Sequence, residues 1–116
     1  MEQTFDISER EGPGAPVIIV SGEIDVATAP SLRDRLQARV VGGDATIVVD
    51  LLDVSFLDST ALGVLVGALK RCREAGGDLR LVIAEPRILK VFEITGLTEV
   101  FSIHPTVDEA LQASPR

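Results

Sequence analysis

Tryptophan and tyrosine are absent from this 116-residue chain, and cysteine, histidine and methionine occur once each. With Cys72 alone, no internal disulfide can form, which suits a reducing compartment. With His104 as the only imidazole, nothing resembles a clustered Cys/His metal site, and no cofactor is expected. Positive charge is also scarce: 11 lysine and arginine residues face 18 aspartate and glutamate residues, a formal net charge of −7. Attraction to phosphate backbones and to anionic lipid depends first on cationic side chains, so nucleic acid and membrane surfaces are poor partners. No uncharged run approaches the ~20 apolar residues that span a bilayer. The start, with Glu2, Thr4 and Asp6 after Met1, has no secretory pattern, and a cytoplasmic location is expected.

What the chain does have is apolar surface. Hydrophobic residues make up 46% and charged residues 25%, which is enough to offset the entropy of ordering one compact domain over residues 1–116, with a frayed tail at about 113–116. Phe5 and Ile7 alternate with polar neighbours, and Val17 to Val20 form a β-branched run. Two strands in a hairpin are expected, joined by the Gly/Pro-rich stretch REGPGAP. In TAPSLRDRLQARVVGG, Thr28 can cap a helix, Pro30 suits its first turn, and Leu32, Leu36 and Val40 recur at helical spacing.

The β-branched run in ATIVVDLLDV predicts a strand ending near Asp50. A helix follows from Ser59, apolar on nearly all sides and stopped by Gly76–Gly77. Within it Cys72 reads as a packing residue, the Gly63/Gly67 pair as a close approach to the sheet, and Lys70–Arg73 as a solvated end. DLRLVIA, PRILKVFEI, EVFSIH and TVDEALQA then predict strand, helix, strand and a Thr-capped terminal helix. The order β-β-α-β-α-β-α-β-α implies an α/β fold: a mixed sheet of about five strands with four helices packed on it.

The stretch FLDSTALGVLVGALKR places Ser59 and Thr60 after an acid and at the mouth of the most apolar helix. On local grounds Asp58, Ser59 and Thr60 make a helix cap, because the first N–H groups of a helix lack internal partners. Their position has a second consequence. Between an apolar strand and an apolar helix, the chain surfaces at the carboxyl edge of the parallel strands, where sites in open α/β sheets gather. A phosphate at such a helix start is favoured by free N–H groups and the helix dipole.

DVSFLDSTALGVLVGALKR resembles the segment that carries the regulatory phosphoserine in the STAS domain family, specifically the bacterial anti-sigma factor antagonists. GEIDVATAP, Gly22 to Pro30, resembles that family's second signature, and VFEITGLTEVF its third. The resemblance spans most of the chain in order. It implies that Ser59 is the phosphoacceptor, that Thr60 is the neighbouring hydroxyl and Asp58 the preceding acid, and that Asp25 is an acid beside the phosphorylation site. Ala61 stands where relatives often have glycine, which favours the helix but removes a close backbone approach.

The implied protein performs no catalysis. Its unphosphorylated form binds an anti-sigma factor that is also a serine kinase, releasing sigma factor. Phosphorylation of Ser59 breaks that complex, and a phosphatase resets it.

Three other readings compete. The same fold could serve another circuit, as a stressosome, transporter-associated or nucleotide-binding module. Asp50, Asp53 and Asp58 near a strand end suggest a receiver domain phosphorylated on Asp50, but the adjacent acid pair and the lysine that such a site needs are missing. A hydrolase with Ser59 as nucleophile lacks the glycines of a nucleophile elbow.

Overall fold

The computed structural model describes residues 4–113. Strands β1 (Phe5–Gly12), β2 (Ala15–Ile24), β3 (Ile47–Leu57), β4 (Leu79–Val82) and β5 (Ser102–His104) lie side by side in sequence order. The first pair is antiparallel and the others are parallel. Helices α1 (Ala29–Val41), α2 (Ser59–Glu74) and α3 (Pro86–Ile94) connect successive parallel strands, and α4 (Val107–Gln112) ends the described chain. The fold is the expected five-stranded mixed sheet with four helices.

Strand order and handedness together dictate the layers. Each parallel crossover steps one strand in the same direction, and crossovers are right-handed, so α1, α2 and α3 fall on one face. The main core lies there: Ile18, Val20, Ile47, Val49, Leu79 and Leu81 from the sheet pack with Leu32, Leu36, Leu65, Leu69, Ile88 and Phe92 from the helices. Phe92 and Phe101 meet edge to face, ring centroids 5.8 Å apart. Alternate residues Val17, Val48 and Val82 point to the other face, where Ala110 of α4 covers them. Arg80 is buried beneath that helix and donates from Nη1 to the Ala110 carbonyl oxygen at 3.1 Å.

Several expectations need correcting. The hairpin has no long loop: β1 and β2 pair through to Gly12 and Ala15, leaving only Pro13–Gly14, with Gly14 at φ +87°. A proline followed by a left-handed glycine closes a tight turn, which shortens the Gly/Pro-rich stretch to two residues. β3 does not end near Asp50 but continues to Leu57. Its later half buries Leu51, Val54 and Leu57, every third residue, because register shifts in the β2–β3 ladder interrupt strict alternation.

Of EVFSIH, only Ser102–His104 is strand; Leu97–Glu99 form a 3-10 turn after the left-handed Gly96. Thr28 makes no side-chain cap of α1, whereas Thr106 caps α4 by accepting from the Glu109 N–H at 3.1 Å. Gly63 faces away from the sheet, with open space where a side chain would sit, so the Gly63/Gly67 pair does not bring α2 closer. Cys72 is fully buried, as read, and burial pushes its thiol up to about 11. The helix end around it is not merely solvated: Arg73 donates to the Val100 carbonyl at 3.0 Å and lies 3.6 Å from the buried Asp78 carboxylate. Most of the tail assigned to 113–116 lies outside the described residues.

One glycine sets the geometry of the carboxyl edge. Gly22 sits at φ +90° between the register shifts, and a Cβ there would overlap the Thr4 carbonyl, which accepts from the Glu23 N–H at 2.8 Å. The extra residues of the two shifts lie on β3, and Gly22 lets β2 stay against β1 while pairing on to Ile24 beside Leu57. Gly22→Ala is therefore expected to lower the unfolding free energy by about 2 kcal/mol or more, read by urea denaturation; a change under about 0.5 kcal/mol would contradict the role.

A charge network holds α1 to β1. Arg39 reaches Glu9 at 2.8 Å, Glu11 at 2.7 Å and Asp44 at 3.3 Å, and Arg35 reaches Glu9 at 3.0 Å. Glu11 and then Glu9 raise the Arg39 pKa well above its ordinary value, so it stays charged. These groups are partly solvated, which limits the stabilisation. Arg39→Ala is expected to cost about 1 kcal/mol at low salt, and the difference from the parent protein is expected to shrink in 1 M NaCl; an undiminished loss would point to packing instead.

Candidate functional site

The site is built where β3 turns into α2. Asp58 is in extended conformation (φ −108°, ψ −173°), and its Oδ1 accepts from the Ala61 N–H at 3.0 Å. Its carbonyl accepts from the Leu62 N–H at 3.1 Å, which starts the helix. Its own N–H donates to the Ile24 carbonyl at 3.2 Å. One residue thus caps α2 and fastens its start to the end of β2.

Ser59 and Thr60 open α2 and are both exposed. Neither hydroxyl is engaged in a hydrogen bond among the described residues. Ala61 is different: its methyl is fully buried in the core, so it offers the mouth of the helix a backbone N–H to Asp58 and no side-chain surface. The glycine-to-alanine departure is therefore absorbed by the core.

Asp25 follows Ile24 directly, so the Ile24–Asp58 hydrogen bond holds its loop beside the start of α2. Its Oδ1 accepts from the N–H groups of Ala27 at 2.9 Å and Thr28 at 3.1 Å. The Thr28 hydroxyl accepts from the Asp25 N–H at 2.9 Å and donates to the Glu23 carbonyl at 2.9 Å. This closed turn is why Thr28 has no side-chain bond left for α1. It also means that one carboxylate oxygen of Asp25 shapes the loop.

Sequence reasoning missed the apolar and cationic surroundings. Phe56, the penultimate residue of β3, is 49% exposed, and Val26 is 70% exposed on the Asp25 loop. Beside Phe56, a shallow groove of about 220 Å³ is lined by Ser55, Leu57, Arg87, Ile88 and Val91. Arg87 is highly exposed and 3.4 Å from Glu85, the residue that caps α3. The three-residue spacing of Leu51, Val54 and Leu57 was the available signal, since it turns Ser55 and Phe56 outward.

The Asp50 arrangement does not suit a receiver site. Asp50 lies mid-strand, with β3 running seven residues past it to Leu57, and its Oδ1 accepts from the Leu52 N–H at 2.9 Å. Among the described residues no group of three or more His, Cys, Asp or Glu could hold a metal ion, and no helix is long and apolar enough to cross a membrane.

Comparison with known proteins gives one family. The STAS domain model matches residues 6–110. An anti-sigma-B factor antagonist from Listeria monocytogenes is 39% identical over 103 residues, covering 89% of this chain and 90% of the relative. The crystal structure of an anti-sigma factor antagonist from Mycobacterium paratuberculosis superposes with a TM-score of 0.85 at 31% identity, covering 93% of this chain and 92% of that one. SpoIIAA, a Bacillus cell fate determinant solved in its phosphorylated form, matches with a TM-score of 0.70 at 25% identity, over 92% of this chain and 96% of that one. Matched along nearly its whole length in sequence and in three dimensions, this chain belongs to the STAS domain family.

Proposed function

We propose that this protein is an anti-sigma factor antagonist whose docking surface is switched by phosphorylation of Ser59. The observation that carries this reading is the exposed, unengaged Ser59 hydroxyl at the first position of α2, beside an apolar surface that includes Phe56. The names of its relatives and the existence of a phosphorylated STAS structure support it. The unmodified form binds an anti-sigma factor that carries serine kinase activity and thereby frees sigma factor. A phosphatase restores the hydroxyl, and the exchange takes place in the cytoplasm.

Elementary electrostatics makes the switch adequate. A phosphate adds about −1.5 to −2 charges. One like-charged pair at ~6 Å and an effective dielectric of ~20 repels by roughly 3 kcal/mol before screening, about a hundredfold in affinity. Asp58 and Asp25 already place acids at this edge and the exposed Arg87 is paired with Glu85 at 3.4 Å, so the added charge is suited to repel partner acids. Repulsion and lost packing, not a rearrangement of the sheet, turn binding off.

The protein is to be incubated with cell extract with and without ATP, its partners recovered, and any phosphate located by mass spectrometry. An anti-sigma factor is expected only with the unphosphorylated protein, and the phosphate on Ser59. With that partner in hand, calorimetry is expected to show Ser59→Ala binding like the parent protein and Ser59→Asp binding about tenfold to a hundredfold more weakly. Equal affinities would remove the mechanism.

A further inference from the structure

The far edge of the sheet carries a second surface, separate from Ser59. β5 pairs with β4 on one side only, and the Ile83 N–H donates to the His104 carbonyl at 3.0 Å. Neighbouring residues of a strand direct their backbone groups to opposite sides, so the intervening Ile103 turns its N–H and carbonyl outward. Neither has a partner among the described residues. Beside this edge lies a groove of about 660 Å³, walled by Leu89 and Glu93 of α3, Thr98, Phe101 and Pro105, together with the β5 side chains.

We propose that this edge binds an extended polypeptide segment that adds to β5 as a sixth strand and sets a lysine or arginine against Glu93. The outward N–H and carbonyl of Ile103 suit the backbone of an extended segment, which can exchange both bonds with one residue. Half-buried Leu89 and Ile103 and exposed Pro105 take apolar side chains, over a floor closed by the buried Ile83 and Phe101. The charge of the occupant follows from the groove itself. Among the described residues Glu93 is its only acid, and none of its lining residues is lysine or arginine. His104 adds no charge at neutral pH: burial and then Arg80 hold its pKa below the ordinary 6.5, and its Nε2 is 2.7 Å from the Ser102 hydroxyl. A second copy of this chain is a poorer occupant, because it would bring its own acidic groove and another net charge of −7.

The test uses the full chain and two fluorescein-labelled hexapeptides of alternating valine and threonine, one with a central lysine and one with a central glutamate, followed by fluorescence anisotropy. The lysine peptide is expected to bind saturably and at least about fivefold more tightly than the glutamate peptide. Glu93→Lys, at an exposed position that leaves the core intact, is expected to reverse that preference. N-methylation of alternate peptide nitrogens on one edge is expected to abolish binding. Parent protein and Ser59→Ala are expected to bind the peptide equally, so failure here is distinguishable from failure of the Ser59 switch. No saturable binding of either peptide at millimolar concentration, or binding indifferent to both Glu93→Lys and N-methylation, would overturn the proposal. So would sedimentation showing that the chain pairs with itself through this edge.

Discussion

The carboxyl edge of the sheet depends on how Asp58 divides its hydrogen bonds. Its N–H belongs to β2 through the Ile24 carbonyl, while its side chain and carbonyl belong to α2 through Ala61 and Leu62. A helix start is ordinarily a place of unsatisfied donors. Here the residue that satisfies them also fixes the helix to the neighbouring strand. The two residues that follow are thereby held at the surface on a rigid support, with Ala61 and Leu65 driven into the core behind them. On the proposed function, a chemical change at Ser59 would then alter this surface and hardly the packing beneath.

That arrangement requires a bulged β3 that stays paired with β2 to its end, and the pairing runs through Gly22. Without a left-handed residue at that point, β2 could not continue past Thr4 to place Ile24 opposite Leu57. The extra residues of β3 make its end irregular and turn Phe56 outward. The bulges of β3 thereby decide which of its side chains face outward at this edge.

Much of this was legible in the sequence. The helices were marked by their periodic leucines and by Pro30, Pro86 and the glycines after α1, α2 and α3, and the alternation of elements set the topology. Local signals failed where tertiary pairing overrode them: a Pro-Gly turn shorter than its composition suggested, a strand extended beyond Asp50 by its neighbours, and a Thr28 hydroxyl drawn to Glu23 and Asp25 instead of to α1. The exposed pair Ser59–Thr60 was found because motif and cap coincide there. Phe56 and Arg87 were missed because they come together only through the register of β3 and the packing of α3 against it.

The central claim is that a charge at Ser59 alters a surface while leaving the fold as it is. Backbone amide chemical shifts of the protein with a hydroxyl and with a genetically encoded phosphoserine at position 59 test it most directly. The account expects shifts confined to residues around Ile24–Thr28 and Phe56–Gly63, with the amides of β4, β5 and α4 unmoved. Changes spread through the sheet and the opposite face would contradict it.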